Sequence, residues 1–476
     1  ALIHAATMVS AGVYLLIRAF PLLQTSEALP AVAGVGAATA LFASVVAIAQ
    51  NDIKRVLAFS TISQLGYMVA AVGIGAYAAA VFHLITHAFF KALLFLAAGS
   101  VIHGIEHGHQ HAFGHAVPVN TDEMDFSPND MWKMGGLVFR MPLTALGFLA
   151  GGMALAGFPL ISAGFWSKDE ILAQAWSLDR VVFWILLASA ALTGFYTARQ
   201  ISLIFLGQPR SRAAVYARDN KPVMTIPLLV LTLFAVGLGW VGIPEGFPIL
   251  GGSRPGWFGP FVSQSLSNLG EAVHGVAEGH GFAWQPLVLG VTCGVGGLIL
   301  GGWVYGRRPS ESRDASEDPL GRTMARLGLG WLYRAMHERF YVDTIYHRLV
   351  TGPALALARA SADVDRRVID ALIVAFGRGF GQAGRIAPTA DQLDRRLLDR
   401  LVEGVGTLSR SLAQWALRLD MGLIDGLVKG VTAASLASSD ASDLVDGGLI
   451  DGVVNGIARV TGALGKWLRK MQSGLL

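Results

Sequence analysis

The sequence predicts an all-α, polytopic membrane helix bundle with one broken helix, followed by a long amphipathic surface helical tail. Three observations predict it. Mean hydropathy is +0.51, and of 476 residues 53% are apolar and only 15% charged, a balance more apolar than that of soluble domains. The charges are segregated: residues 1–305 carry 14 Lys+Arg and 14 Asp+Glu, whereas the remaining 171 carry 23 and 19. Apolar windows of roughly 17 to 25 residues, the length that spans a bilayer, recur along the first of these two regions. Together they exclude a water-soluble enzyme.

The windows cover residues 1–20, 30–50, 56–75, 76–103, 142–178, 181–206, 223–243 and 285–305, which assigns 1–305 to a transmembrane bundle and 306–476 to the tail. The fifth window is too long for one straight span and contains Gly157-Phe158-Pro159, so two half-helices are expected. Pro159 removes a backbone donor there, and such breaks persist at membrane depth only where they line a polar cavity or are buried in protein. Alternate connections differ in Lys and Arg. One side receives Lys54, Arg55, Lys133, Arg140, Arg199, Arg210, Arg212, Arg218, Lys221 and the basic tail, and the other has Arg18, Arg180 and Arg254. The basic side is expected to be cytoplasmic. The chain opens at Ala1 already inside an apolar stretch, without Met, a basic n-region or a small-residue cleavage site. No signal peptide is expected, and the chain reads as a piece of a longer protein. One cysteine, Cys293, excludes a disulfide framework or a cysteine-built metal site.

The tail carries a weak repeat, Asp365-Arg-Arg-Val-Ile-Asp370, Asp394-Arg-Arg-Leu-Leu-Asp399, Asp420-Met-Gly-Leu-Ile-Asp425 and Asp446-Gly-Gly-Leu-Ile-Asp451, whose starts are 29, 26 and 26 residues apart. These spacings are close to whole helical turns and place Ile369, Leu398, Ile424 and Ile450 near one stripe. Two readings share that pattern, a helix lying along the membrane surface and a helix of a soluble appended domain.

An ionisable side chain at membrane depth costs roughly 2.5 to 3.5 kcal/mol on insertion scales, so each is a functional candidate. His83, His87 and Lys91, in VFHLITHAFFKALLF, are spaced i, i+4, i+8 and share one helix face. Imidazole titrates near neutral pH and an amine can hold or release a proton, so the trio can pass protons stepwise. For His83 alone a hydrogen bond to a neighbouring helix is the favoured reading. Lys91 lies mid-span, where its stem cannot easily reach a headgroup layer. Lys168 follows Pro159 by nine residues and can face the cavity opened by the break. The other reading is a salt bridge with Asp169 and Glu170 near a headgroup belt that suits Trp166. His4, beside Thr7 in the first window, is a further intramembrane titratable group.

Three other features have ordinary explanations. His103, His107, His109, His111 and His115 resemble a metal site, but they lack fixed ligand spacing and are expected in a solvated cytoplasmic loop over 104–141. Ser60, Thr61, Ser63, Gln64 and Tyr67 can line a hydrated path or hydrogen-bond between helices, the commoner case. Gly294, Gly296 and Gly297 lack the strand-turn-helix setting of a nucleotide loop and are expected at close helix contacts.

The segments ALIHAATMVSAGVYLL, NDIKRVLAFSTISQLGYM, FHLITHAFFKALLF, KMGGL, GFWSKDEIL and FYVDTIYHRL together resemble the antiporter-like subunit L family of proton-pumping NADH:quinone oxidoreductase, respiratory complex I. The motifs in residues 1–206 are shared in part with sodium/proton antiporter subunits and membrane-bound hydrogenases. The resemblance implies that His4, His83, His87 and Lys91 belong to a central hydrophilic axis. It makes Lys168 the lysine of the broken helix on the outlet side, with Thr7, Pro159 and Asp169 in support. It implies a bacterial inner membrane location with a cytoplasmic tail lying along neighbouring membrane-arm subunits. No cofactor, metal or nucleic acid is expected in this chain. Two departures stand out: the family has seven helices upstream, bearing a glutamate and a lysine, and one more span beyond the tail. The chain therefore corresponds to one half of an inverted repeat. The function expected is proton translocation by a membrane-arm subunit. The alternatives are a sodium/proton antiporter subunit and a brace that moves no ions.

Overall fold

The computed structural model describes residues 3, 7–24, 27–113, 127–243, 283–306 and 318–364, with scattered positions at 247, 258, 261–262, 366–367, 371, 374–378 and between 403 and 414. Apart from one isolated antiparallel bridge, Asp52 with Asp130, the described elements are helical. Six helices among the described residues are long and apolar enough to cross a membrane, and they correspond to six of the eight expected windows. The chain divides into two compact units, Ala1–Thr351 and Gly352–Leu476. The expected boundary at 305 therefore falls inside the first unit.

The first window appears as two short helices, α1 (Ala11–Arg18) and α2 (Phe20–Gln24). α3 (Leu29–Ala49) and α4 (Ile53–Gly73) form a hairpin. Asp52 caps α4 by accepting from the backbone of Lys54 and Arg55 at 2.8 and 3.0 Å, which offsets the orphan donors of its first turn. Small residues let the two backbones meet: a Cβ on Gly36 would lie 2.3 Å from the Ala70 nitrogen, and one on Gly66 would lie 2.5 Å from that of Ala40.

α5 (Tyr77–Phe113) is 37 residues long. It corrects the expected histidine loop, because His103, His107, His109 and His111 continue the helix; His115 lies outside the described residues. About 20 residues suffice to span a bilayer, so the remaining turns of α5 extend past its apolar part. Neighbours support them: His103 Nδ1 is 2.6 Å from Asn220 Oδ1, and the His111 ring stacks on Tyr216 at 5.1 Å.

The long fifth window is broken as expected, into α6 (Pro142–Ala156) and α7 (Ala163–Leu178). Gly157 takes the left-handed conformation, φ 75°, and the Gly157 and Phe158 amides bond back to the Ala154 and Met153 carbonyls at 3.2 and 2.9 Å. This is a glycine-terminated helix end. Ser162 opens α7 by accepting from the Phe165 amide at 3.3 Å.

α8 (Arg180–Phe205), the short α9 (Arg212–Tyr216), α10 (Pro222–Gly237) and α11 (Trp284–Gly306) complete the bundle. Gly294 and Gly297 of α11 lie against α8, where a Cβ on Gly297 would sit 2.1 Å from the Ala191 carbonyl; Gly296 has nothing within 4 Å and faces elsewhere. Beyond the bundle, α12 (Pro319–Arg326), α13 (Gly330–His337) and α14 (Val342–Tyr346) still belong to the first unit. Gln50, at the end of α3, donates to the Met336 and His337 carbonyls at 3.2 and 3.1 Å.

In the second unit, α15 (Gly352–Val364) exposes Leu355 and Leu357. Arg367 pairs with Asp363 at 3.9 Å, both exposed. All eight repeat aspartates, from Asp365 to Asp451, lie outside the described residues.

Candidate functional site: a buried lysine and histidine stripe

The i, i+4, i+8 spacing on α5 does bring His83, His87 and Lys91 onto one buried face, with exposures of 1%, 1% and 0%. Facing them is the polar rank of α4. Lys91 Nζ donates to the Leu57 carbonyl at 3.2 Å and to the Ser60 hydroxyl. The Ser60 and Thr61 hydroxyls also donate to that carbonyl, both at 2.8 Å. The cradle of Lys91 is thus made of dipoles. No ion pair of Lys91 occurs among the described residues.

One rung along, His83 Nε2 is 3.0 Å from Gln64 Oε1 and Nδ1 is 2.9 Å from Ser167 Oγ of α7. The amide oxygen can only accept, so a neutral ring donates through Nε2 and leaves Nδ1 to accept from Ser167. Thr86 Oγ1 donates to Ser167 at 2.7 Å and orients that hydroxyl. His87 lies between the two rungs, its ring centroid 6.0 Å from that of His83. Its Nε2 is buried without a hydrogen-bond partner among the described residues, as is Gln64 Nε2. A proton moving between His83 and His87 therefore needs a ring rotation or an intervening water.

Lys168 sits next to Ser167, 4% exposed, with Nζ 5.1 Å from the centroid of the Tyr67 ring. It donates to the Leu155 carbonyl at 3.3 Å. That carbonyl would pair with the amide of residue 159 in a continuous helix, and residue 159 is proline. The same proline that breaks the helix thus frees the acceptor that Lys168 uses. No ion pair joins Lys168 to Asp169 or Glu170 among the described residues; Glu170 instead accepts from Gln174 at 3.1 Å.

A small cavity, about 20 Å³, lies at this break, lined by Gly157, Lys168, Asp169 and Gly290 among others. It is large enough for about one water. Gly290 is six residues into α11, about 9 Å along its axis. The cavity therefore occupies the half of the bundle away from the Lys54/Arg55 end.

The structure brings His83, His87, Lys91 and Lys168 to one stripe, with Asp169 at the cavity. His4 lies outside the described residues, and Thr7 is exposed, with its carbonyl accepting from Ser10 at 3.0 Å. From sequence, the α4 hydroxyls are expected at helix packing contacts. Ser60 and Gln64 instead bond Lys91 and His83 of the stripe. The packing reading holds for Ser63, which turns to the Ala40 carbonyl at 3.0 Å and Ser189 at 3.2 Å, and for the Tyr67 hydroxyl, which donates to the Leu186 carbonyl of α8 while its ring faces Lys168. The matching spacing on α4 and α5 was the signal available.

Residues 1–193 match the protein family described as NADH:quinone oxidoreductase/Mrp antiporter, TM. The chain is 38% identical over 399 residues to NAD(P)H-quinone oxidoreductase chain 5 of Picosynechococcus sp., covering 78% of this chain and 54% of that protein. It is 39% identical over 365 residues to NADH-quinone oxidoreductase subunit L of Escherichia coli, covering 75% and 50%. With subunit L of Rickettsia felis the identity is 36% over 376 residues, covering 78% and 53%. The chain spans about half the length of the curated relatives it matches.

Proposed function

Because the chain belongs to the antiporter-like family of NADH:quinone oxidoreductase and Mrp membrane subunits, we propose that it is a proton-translocating membrane-arm subunit of a NADH:quinone oxidoreductase. The carrying observation is Lys91, fully buried and held by a carbonyl and a hydroxyl rather than by a carboxylate. An ammonium without a counter-ion is costly to keep in a dry interior, so its occupancy by a proton responds to charge arriving nearby.

Protons pass from Lys91 through His87 and His83 to Ser167 and Lys168, and leave by the cavity at the helix break. At rest His83 Nδ1 accepts from Ser167 and its Nε2–H is held by Gln64, so forward transfer requires His83 to take a proton from His87, by ring rotation or through a water, after which Nδ1–H donates to Ser167. Asp169 at the cavity wall attracts the departing proton. Redox chemistry takes place elsewhere in the complex, and the role asks for no cofactor in this chain. The Lys54/Arg55 end faces the cytoplasm of a bacterial inner membrane, and the partners are the lipid bilayer and other membrane-arm subunits.

The same family description covers Mrp antiporters, which keeps sodium/proton exchange as the second reading. The deciding experiment is transport by the assembled complex in sodium-free vesicles. Proton uptake that persists without sodium supports the proton pump, and uptake that requires sodium supports the antiporter.

A further inference from the structure

A second polar cluster lies at the Lys54/Arg55 end, apart from the stripe. Arg199 of α8 is 1% exposed. It donates to the Gln50 carbonyl, to Asn51 Oδ1 at 2.7 Å and to Asp318 Oδ2 at 3.0 Å, and lies 5.4 Å from the centroid of the Tyr305 ring. Asp318 is 2% exposed, caps α12 through the Leu320 amide at 2.9 Å, and accepts from the hydroxyls of Tyr305 at 2.6 Å and Tyr333 at 2.9 Å. Burial alone would raise its carboxyl, but Arg199 and the two tyrosine hydroxyls hold it below the usual carboxylate range.

Such a pair is a weak source of stability. Apolar residues of similar volume often replace a buried ion pair at no loss, whereas removing one partner alone is costly. What the pair supplies here is a fixed position. Arg199 donates into the α3–α4 turn, and the next residue, Gln200, donates to the carbonyl of Ile53, the first residue of α4, at 3.2 Å. Four and seven residues along α4, about 6 and 10 Å, lie the Leu57 carbonyl and the Ser60 hydroxyl that hold Lys91. On α8, one turn in from Arg199, the buried Tyr196, whose hydroxyl donates to Thr193 at 3.5 Å, lies near Ser60.

We propose that Arg199, fixed by Asp318, is a positioning residue for the relay: it sets the axial register of α4 against α8 and thereby places the Leu57 carbonyl and Ser60 hydroxyl around Lys91. This rests on the relay reading of Lys91 above. The titratable groups that face Lys91 or its cradle are His87 on its own helix, Lys168 on α7 and, beside Ser60, Tyr196 on α8. A shift of the α4 cradle changes the proton affinity of Lys91 relative to all three.

The test compares the full-length assembled complex, in vesicles, as wild type, Asp318→Asn, the double variant Arg199→Met with Asp318→Leu, and Lys91→Ala. Complex yield, electron transfer and protons translocated per electron pair are measured across the neutral pH range. The double variant replaces the ion pair with an apolar contact, so it should assemble; its pumping should fall about threefold, equivalent to about 0.65 kcal/mol at about 1.36 kcal/mol per tenfold, with a displaced pH profile. Wild-type pumping and pH profile in the double variant would overturn the proposal. Failure of both Asp318 variants to assemble would also overturn it, because the pair would then serve assembly. Normal pumping by Lys91→Ala would remove the relay reading and this inference together. Impaired Lys91→Ala beside a normal double variant would overturn this inference alone.

Discussion

Lys168 donates to the carbonyl of Leu155, the acceptor that Pro159 deprives of its helical partner. One side chain therefore both stabilises the break and lines the cavity it opens. Exchanging it for arginine keeps the positive charge and the donors, but a guanidinium does not release its proton at physiological pH. Lys168→Arg should lower proton translocation per electron pair, and Asp169→Asn should lower it less. Vesicle measurements on both variants check this, and normal pumping by Lys168→Arg would return Lys168 to a purely structural role.

The approach of α7 to the end of α6 depends on Gly164, because a Cβ there would lie 1.8 Å from the Ala154 carbonyl. Gly164→Ala should displace α7 and cost about 1 to 3 kcal/mol, the usual range for overpacking. The check is the thermal stability of the purified complex. Pumping should fall with it, since Ser167 and Lys168 ride on α7.

At the opposite end, the Asp318 carboxyl is held below its ordinary value. Its charge contributes stability above the unfolded carboxylate value of about 3.9, and that contribution is lost as pH falls through the lower folded value. Amide protection in α12 and α13, taken relative to the intrinsic exchange rate at each pH, should therefore stay unchanged from neutral pH down to about 5. Loosening of this segment already in mild acid would contradict the ion pair.

Much of the stripe was legible in the sequence because its geometry is local. The i, i+4, i+8 spacing of His83, His87 and Lys91 and the Gly157-Phe158-Pro159 break each lie within one stretch of chain. Arg199 was read as a topological charge at a loop, since its partners Asp318, Tyr305 and Tyr333 lie more than a hundred residues away and nothing local marks them. The histidines of 103–111 read as a loop from sequence because clustered polar residues lack an apolar period. In the structure they continue α5, supported by Asn220 and Tyr216, whose approach only tertiary packing reveals. The role of α12 and α13 at the end of the bundle was hidden for the same reason.

Truncation after Thr351 leaves the first compact unit, with its Arg199–Asp318 pair, intact. If the tail binds neighbouring subunits, the truncated chain should fold yet lose those partners on detergent extraction. Native electrophoresis of the extracted complex checks this, and an intact truncated complex would count against a bracing tail.

The central claim is that Lys91 carries protons. Lys91→Ala in the full-length protein removes a buried charge, which relieves its desolvation cost while deleting the relay site. The direct measurement is protons translocated per electron pair, normalised to the amount of assembled complex in vesicles. Assembly near wild type with lowered pumping per complex is the result predicted. Reduced assembly with unchanged pumping per complex would contradict it.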